Sequence, residues 1–129
     1  MEPRGASDPV RVGFIGAGHL ATHVHYPSLD ELDTASLVAI TDIDESRLLA
    51  TANRYTVSGR YTNHRDMLDK EQLDAVYVVM PPQLLHDIVI DCLEAGKHVF
   101  VEKPPGTATY QTEAFAWYAA KYGCLTMTG

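Results

Sequence analysis

The stretch Val10-Arg11-Val12-Gly13-Phe14-Ile15-Gly16-Ala17-Gly18-His19-Leu20-Ala21 decides how the rest of this chain is read. Val10, Val12, Phe14 and Ile15 form a short apolar run of the kind that makes a buried strand. The run passes directly into Gly16-Ala17-Gly18-His19-Leu20-Ala21, a G-x-G-x-x-A pattern. The first glycine lets the chain turn sharply out of the strand. The second removes the side chain where a pyrophosphate would approach the backbone, and Ala21 is small enough for the following helix to lie close to the sheet. Free N–H groups and the helix dipole favour an anion at that helix start. Glycine turns without a ligand occur in many α/β proteins, so the motif needs support from the rest of the chain.

The composition is that of an ordinary soluble globular chain. Its 129 residues suit one domain, with 46% hydrophobic and 21% charged residues. A net charge of −7, with ten scattered Lys and Arg, argues against a nucleic-acid partner. No apolar run approaches the ~20 residues of a membrane span. Residues 1–9 lack the apolar centre of a signal peptide and are expected to be a flexible lead-in. Cys92 and Cys124 lie far apart, which suggests two free thiols and a cytoplasmic location.

Outward from the glycine turn, strands and helices alternate. His19 to Tyr26 reads as helix, with Pro27 either interrupting it or beginning a second short piece, Ser28–Leu32. Leu37–Thr41 is the next strand, and Asp42 stands at its end. Asp44 is placed to cap a helix whose stripe is Leu48, Leu49, Ala52 and Tyr55. Residues 56–65 read as irregular, with a short strand near Arg60-Tyr61, and Asp66–Leu73 as a turn or two of helix. Ala75–Met80 is apolar on both faces, as a central parallel strand is, and Pro81-Pro82 ends it. Leu84, Leu85, Ile88, Val89, Cys92 and Leu93 mark a helix with one buried stripe that Gly96 closes. His98–Val101 is a further strand, Thr109–Tyr122 an aromatic-rich helix stopped by Gly123, and Cys124–Met127 a last strand. The expected fold class is therefore α/β: a doubly wound, mostly parallel sheet over residues 10–129. Ligands of such sheets sit beyond the carboxyl ends of the strands. Four segments end there: Gly16-Gly18, Asp42, Pro81-Pro82 and Glu102-Lys103.

Asp42 lies 24 residues after Gly18, where a carboxylate can accept hydrogen bonds from the adenosine ribose hydroxyls and repel a 2′-phosphate. NAD is thereby favoured, although Arg47 nearby leaves NADP open. The plainer role for Asp42 is a helix cap, which Asp44 can fill. Lys103, at the end of an apolar strand, is expected to face the crevice and hydrogen-bond a substrate hydroxyl. A neighbouring positive nicotinamide would ease loss of its proton during hydride transfer. A surface pairing with Glu102 is the alternative, but neighbours on a strand face opposite ways. His19, His23 and His25 are close in sequence but lack a matching Glu or Cys, so no metal site is expected. His19 falls where phosphates would lie. Cys92 and Cys124 read as inert core thiols. Phe115, Trp117, Tyr118 and Tyr122 read as helix packing, and Asp66, Asp69, Glu71 and Asp74 as a solvated face.

These pieces resemble the amino-terminal domain of the Gfo/Idh/MocA oxidoreductases. The resemblance is carried by Gly16–Ala21, Asp42, Val78-Val79-Met80-Pro81-Pro82 with His86, Ala95–Val99, and Glu102-Lys103-Pro104. It implies that Lys103 contacts both substrate and nicotinamide. It also implies nicotinamide-ribose contacts near Glu102, a Met80-Pro81-Pro82 loop lining the cofactor with His86 beside it, and a cis Lys103–Pro104 bond. The residues expected at the cofactor are Gly16, Gly18, His19, Leu20, Asp42, Ile43, Arg47, Met80, Pro81, Pro82, His86, Glu102 and Lys103, with Lys103 catalytic. Members of the family continue into a second, substrate-binding α/β domain that has no counterpart here. The expectation is thus the NAD(P)-binding part of a longer oxidoreductase acting on a sugar, polyol or related compound, homo-oligomeric when full-length and catalytically incomplete as this piece. Two other readings stand beside it: a nucleotide-sensing or scaffolding module without chemistry, and an S-adenosylmethionine-dependent methyltransferase. Pro81-Pro82 and Lys103 suit the methyltransferase poorly.

Overall fold

The computed structural model describes residues 5–129. Of the expected lead-in, residues 1–4 lie outside the described residues, and Gly5–Asp8 form a turn closed by the Asp8 N–H on the Gly5 carbonyl at 3.1 Å. Six strands follow: β1 Val10–Ile15, β2 Ala35–Thr41, β3 Gly59–Tyr61, β4 Ala75–Val78, β5 His98–Val101 and β6 Thr126–Thr128. All pairings are parallel, in the order β3-β2-β1-β4-β5-β6. The order reverses between β1 and β4, and such a switch point opens a crevice above the strand tips.

The helices are α1 Tyr26–Asp30, α2 Glu45–Arg54, α3 His64–Lys70, α4 Leu85–Glu94 and α5 Thr109–Tyr122. Alternation along β1 divides the core. Val12 and Phe14 pack with Tyr26, Leu29, Ile40 and Leu48 under α1 and α2. Ile15 faces the other way, into a core of Met67, Val76, Val78, Leu85, Val89 and Phe115. Asp44 caps α2, accepting the Arg47 N–H at 3.1 Å.

Several local expectations are narrowed or corrected. Of the two roles open to Pro27 the second is seen, since it stands at the start of the short helix α1. A π-helical turn, Ala21–His25, precedes it, and the Tyr26 N–H reaches back to the Ala21 carbonyl. The wider turn admits a proline near the start of α1 without the clash an α-turn would impose. β4 stops at Val78, two residues early, and β6 begins at Thr126 rather than Cys124. Cys124 instead sits in the preceding turn with its thiol toward the Leu93 carbonyl at 3.9 Å. α3 starts at His64 because the Asn63 side chain caps it through the Arg65 N–H. Leu84 and Leu49 are exposed rather than part of buried stripes. Of the α5 aromatics, Phe115 is buried, whereas Trp117 is 58% exposed with the Lys121 ammonium 5.0 Å over its ring. Asp66 and Asp69 are solvated, but Glu71 accepts the Tyr61 hydroxyl at 2.7 Å and Asp74 the Arg11 N–H at 2.7 Å. No helix among the described residues is long and apolar enough to cross a membrane.

Candidate cofactor cleft

The site is built from the glycine turn outward. Gly16 has φ +107°, and a Cβ there would stand 2.2 Å from the Val79 carbonyl oxygen. Only glycine fits, because the turn is pressed against the tip of β4. The fully buried Tyr26 hydroxyl donates to the Gly16 carbonyl at 2.8 Å from beneath, its ring stacked 4.0 Å from Phe14. Burial first, then the Asp42 carboxylate, pushes the Tyr26 phenol above its ordinary range and keeps its hydrogen for that bond. Gly18 differs from Gly16: a Cβ there would meet nothing within 4 Å. Its missing side chain leaves room in the cleft that the fold does not use.

That cleft has a volume of about 530 Å³ and lies over the tips of β1, β2, β3 and β4. Of the residues expected at the cofactor, Gly16, Gly18, Asp42, Ile43, Arg47, Met80 and Pro81 line it. Asp42 is 8% exposed and accepts the Ala17 N–H on Oδ2 and the Asp44 N–H on Oδ1, both at 2.8 Å. Each oxygen keeps a further lone pair. The Arg47 guanidinium stands 3.7 Å from Asp42 and 3.6 Å from Asp44, held between two carboxylates. Ile43 is 81% exposed at the rim, an apolar group in the position of a lid for a flat ring. The open glycine, the buried carboxylate and the apolar rim fit an adenosine diphosphate half-cofactor.

The other expected residues stand outside this cavity. His19 and Leu20 are exposed on the approach to the π-helical turn, where the His19 and His23 rings stack at 4.0 Å. No group of three or more potential metal ligands occurs among the described residues. Pro82 opens a short 3-10 turn, Pro82–Leu84, before α4. His86 faces α5, its ring 5.5 Å from Phe115 and its Nδ1 buried without a partner. Glu102 and Lys103 follow β5, adjacent to the β4 tip through the Glu102 N–H on the Val78 carbonyl. The Lys103–Pro104 bond is cis, as the resemblance implied. Glu102 does not pair with the Lys103 ammonium. Its Oε1 meets His25 Nε2 at 2.9 Å and its Oε2 accepts the Lys103 backbone N–H at 2.9 Å.

Sequence reasoning missed the segment Thr62-Asn63-His64-Arg65, which forms the wall beyond β3. Asp91 on α4 fixes it, with Oδ2 2.7 Å from His64 Nε2 and 2.9 Å from Arg65 Nε. Burial alone would raise the Asp91 carboxyl. The hydrogen bonds from Arg65 and His64 outweigh it and hold the group below its usual range. Asn63, a capping residue just before a helix, was the available signal.

Strand order, glycine turn and buried acid define a dinucleotide-binding Rossmann domain. The family model for Gfo/Idh/MocA oxidoreductases, NAD-binding Rossmann fold, matches residues 10–129, and the chain belongs to this family. It is 36% identical over 95 residues to myo-inositol 2-dehydrogenase of Thermotoga maritima, covering 74% of this chain and 28% of that protein. It is 33% identical over 130 residues to dTDP-3,4-didehydro-2,6-dideoxy-alpha-D-glucose 3-reductase of Actinomadura kijaniata, covering 98% of this chain and 38% of the relative. A 3-ketoreductase from Actinomadura kijaniata, solved in an open conformation with TDP-benzene and NADP, superposes with a TM-score of 0.89 at 30% identity. That match covers 94% of this chain and 38% of the other. The chain thus spans about a third of the length of the relatives it matches.

Proposed function

We propose that this chain is the NAD-binding part of a cytoplasmic oxidoreductase. The enzyme transfers hydride between a nicotinamide cofactor and a hydroxyl or carbonyl carbon of a sugar or polyol. It takes neither nucleic acid nor membrane as a partner and is a homo-oligomer when full-length. Residues 10–129 are its cofactor domain. The observation that carries this reading is Asp42, buried at the tip of β2 with both oxygens turned to the glycine turn and its flank. The relatives named above act on inositol and on a keto sugar nucleotide, which supports the substrate class.

The roles follow from the chemistry of each group. Gly16 makes the turn, its own N–H held by the Thr41 carbonyl at 2.8 Å, and Gly18 leaves room for the pyrophosphate to reach the backbone at the helix start, with His19 and Leu20 at its flank. Asp42 accepts from the ribose hydroxyls through its free lone pairs. Ile43 covers the adenine, and Met80 and Pro81 confine the middle of the cofactor, with Pro82 and His86 behind them. When bound, the nicotinamide ring supplies the hydride-accepting or hydride-donating carbon. Glu102 stands at the nicotinamide ribose. Lys103 hydrogen-bonds the substrate oxygen and moves the proton that leaves or arrives as the carbon changes oxidation state. Because Arg47 is occupied by Asp42 and Asp44, a 2′-phosphate would meet carboxylate before guanidinium, and NAD is the preferred cofactor.

The test is a fluorescence titration of the chain with NADH and NADPH, with S-adenosylmethionine as the third arm. The expected result is saturable binding of NADH, weaker NADPH and no S-adenosylmethionine. Failure to bind either dinucleotide would overturn the reading.

A further inference from the structure

We infer that His25 is a positioning residue for the nicotinamide end of the cleft, acting through Glu102. The inference rests on the cofactor reading given above and assigns a role to a residue that the cleft itself does not include.

His25 is the last residue of the π-helical turn that follows the glycine motif. The turn holds one residue more than an α-turn, and the faces beyond it are rotated accordingly. Tyr26 drops into the core beneath Gly16, while its neighbour His25 is carried toward β5. There the imidazole lies edge-on to Phe100 at 5.3 Å and to Tyr77 at 6.0 Å. These rings stand side by side on β5 and β4. The His25 side chain is 12% exposed, and its Nε2 meets Glu102 Oε1 at 2.9 Å. The other Glu102 oxygen takes the Lys103 backbone N–H. One carboxylate therefore joins the glycine-turn helix to the corner that carries Lys103, across 77 residues of chain.

The geometry explains why the bracket needs His25. The Glu102 N–H bond to Val78 is long, at 3.4 Å, and the Oε2 contact is only to the next residue. Without the imidazole, no hydrogen bond from another element holds the carboxylate, and the Glu102-Lys103 corner can turn on the end of β5. The adenosine half would not feel the change, because His25 touches none of Gly18, Asp42 or Ile43.

The test separates the two halves of the cofactor by titrating the chain with ADP, which lacks the nicotinamide ribose, and with NADH. Three variants are compared with the unaltered chain: His25→Leu, His25→Asn and His25→Gln. Glutamine places an amide nitrogen near the position of Nε2, whereas asparagine falls short of Glu102. His25→Leu and His25→Asn are expected to weaken NADH about tenfold and leave ADP within about twofold. His25→Gln is expected to recover most of the NADH affinity. A folded His25→Asn chain keeps the test decisive should the leucine variant fail to fold. Equal weakening of both ligands would reduce His25 to a general structural role and overturn the inference, as would unchanged NADH binding in both variants. An unaltered chain that binds neither ligand would instead defeat the underlying cofactor reading.

Discussion

The two glycines of the turn should respond to alanine in opposite ways, and the contrast tests the whole placement of the cofactor. In Gly16→Ala the new methyl stands 2.2 Å from the Val79 carbonyl, on a residue held at φ +107°. A non-glycine residue in such a conformation costs about 1–3 kcal/mol, and the backbone clash adds to it. Taking about 2–4 kcal/mol in total and a melting entropy of about 0.27 kcal/mol per degree for a chain of this size, Tm should fall by about 7–15 °C. In Gly18→Ala the methyl meets nothing within 4 Å, so the fold should keep its stability to within about 0.5 kcal/mol. That methyl nevertheless occupies the space through which a pyrophosphate reaches the backbone, and NADH affinity should drop at least about tenfold, or 1.4 kcal/mol. Thermal melts followed by circular dichroism and NADH fluorescence titrations on the same samples give both quantities. A Gly18→Ala chain that melts normally and binds NADH as tightly as the unaltered chain would refute the reasoning, because the pyrophosphate would then cross the turn elsewhere.

Three further outcomes are expected. Lys103→Met in the full-length enzyme should lower kcat by about 10²–10⁴ while the NADH dissociation constant stays within about threefold, read by steady-state kinetics and fluorescence titration. Asp42→Ala should leave Arg47 with Asp44 as its one remaining carboxylate and shift the ratio of NADPH to NADH affinity upward by about tenfold. It should also lower stability by about 1–3 kcal/mol, because two N–H groups lose their acceptor. Asp91→Asn should be destabilising at neutral pH. Because the Asp91 carboxyl is held below its unfolded value of about 4, that stability is complete above about pH 4 and is lost as pH falls through the lowered folded value. Urea melts of the two proteins should therefore converge in acid and differ most near pH 7.

What the residues disclosed in advance was whatever depends on local chemistry. Gly16, Asp42 and Asp44 each act within a turn or a cap, and their spacing alone placed them at adjoining strand tips. The run Ala75–Met80 identified itself as central because both its faces are apolar. The wall beyond β3 was not legible in this way. Thr62–Arg65 has no periodicity, and its hold on the cleft comes from Asp91, which lies outside the apolar stripe of its helix. β6 starts two residues later and ends one later than expected because an edge strand with three exposed positions has little hydrophobic pattern to mark its bounds. The His25 contact was equally hidden. Near neighbours in sequence suggested comparing His25 with His19 and His23, whereas its partner lies 77 residues away and arrives only when β5 aligns beside β4.

In the proposed cofactor site, Asp42 and Glu102 have different work. Both are bound by backbone N–H groups at strand ends, and both have one oxygen facing a second group. For Asp42 that group is Arg47, more than half exposed and 3.7 Å away, a loose partner a ribose can share or displace. For Glu102 it is His25, confined among aromatic rings at 2.9 Å, a tight partner that fixes geometry. On the proposed cofactor placement, the adenosine end is left adjustable and the Lys103 end rigid. Binding the common half of a dinucleotide tolerates small shifts, whereas hydride transfer requires donor and acceptor at near-attack distance, where an ångström of misplacement costs about a hundredfold in rate. The stiffer bracket therefore belongs at Glu102.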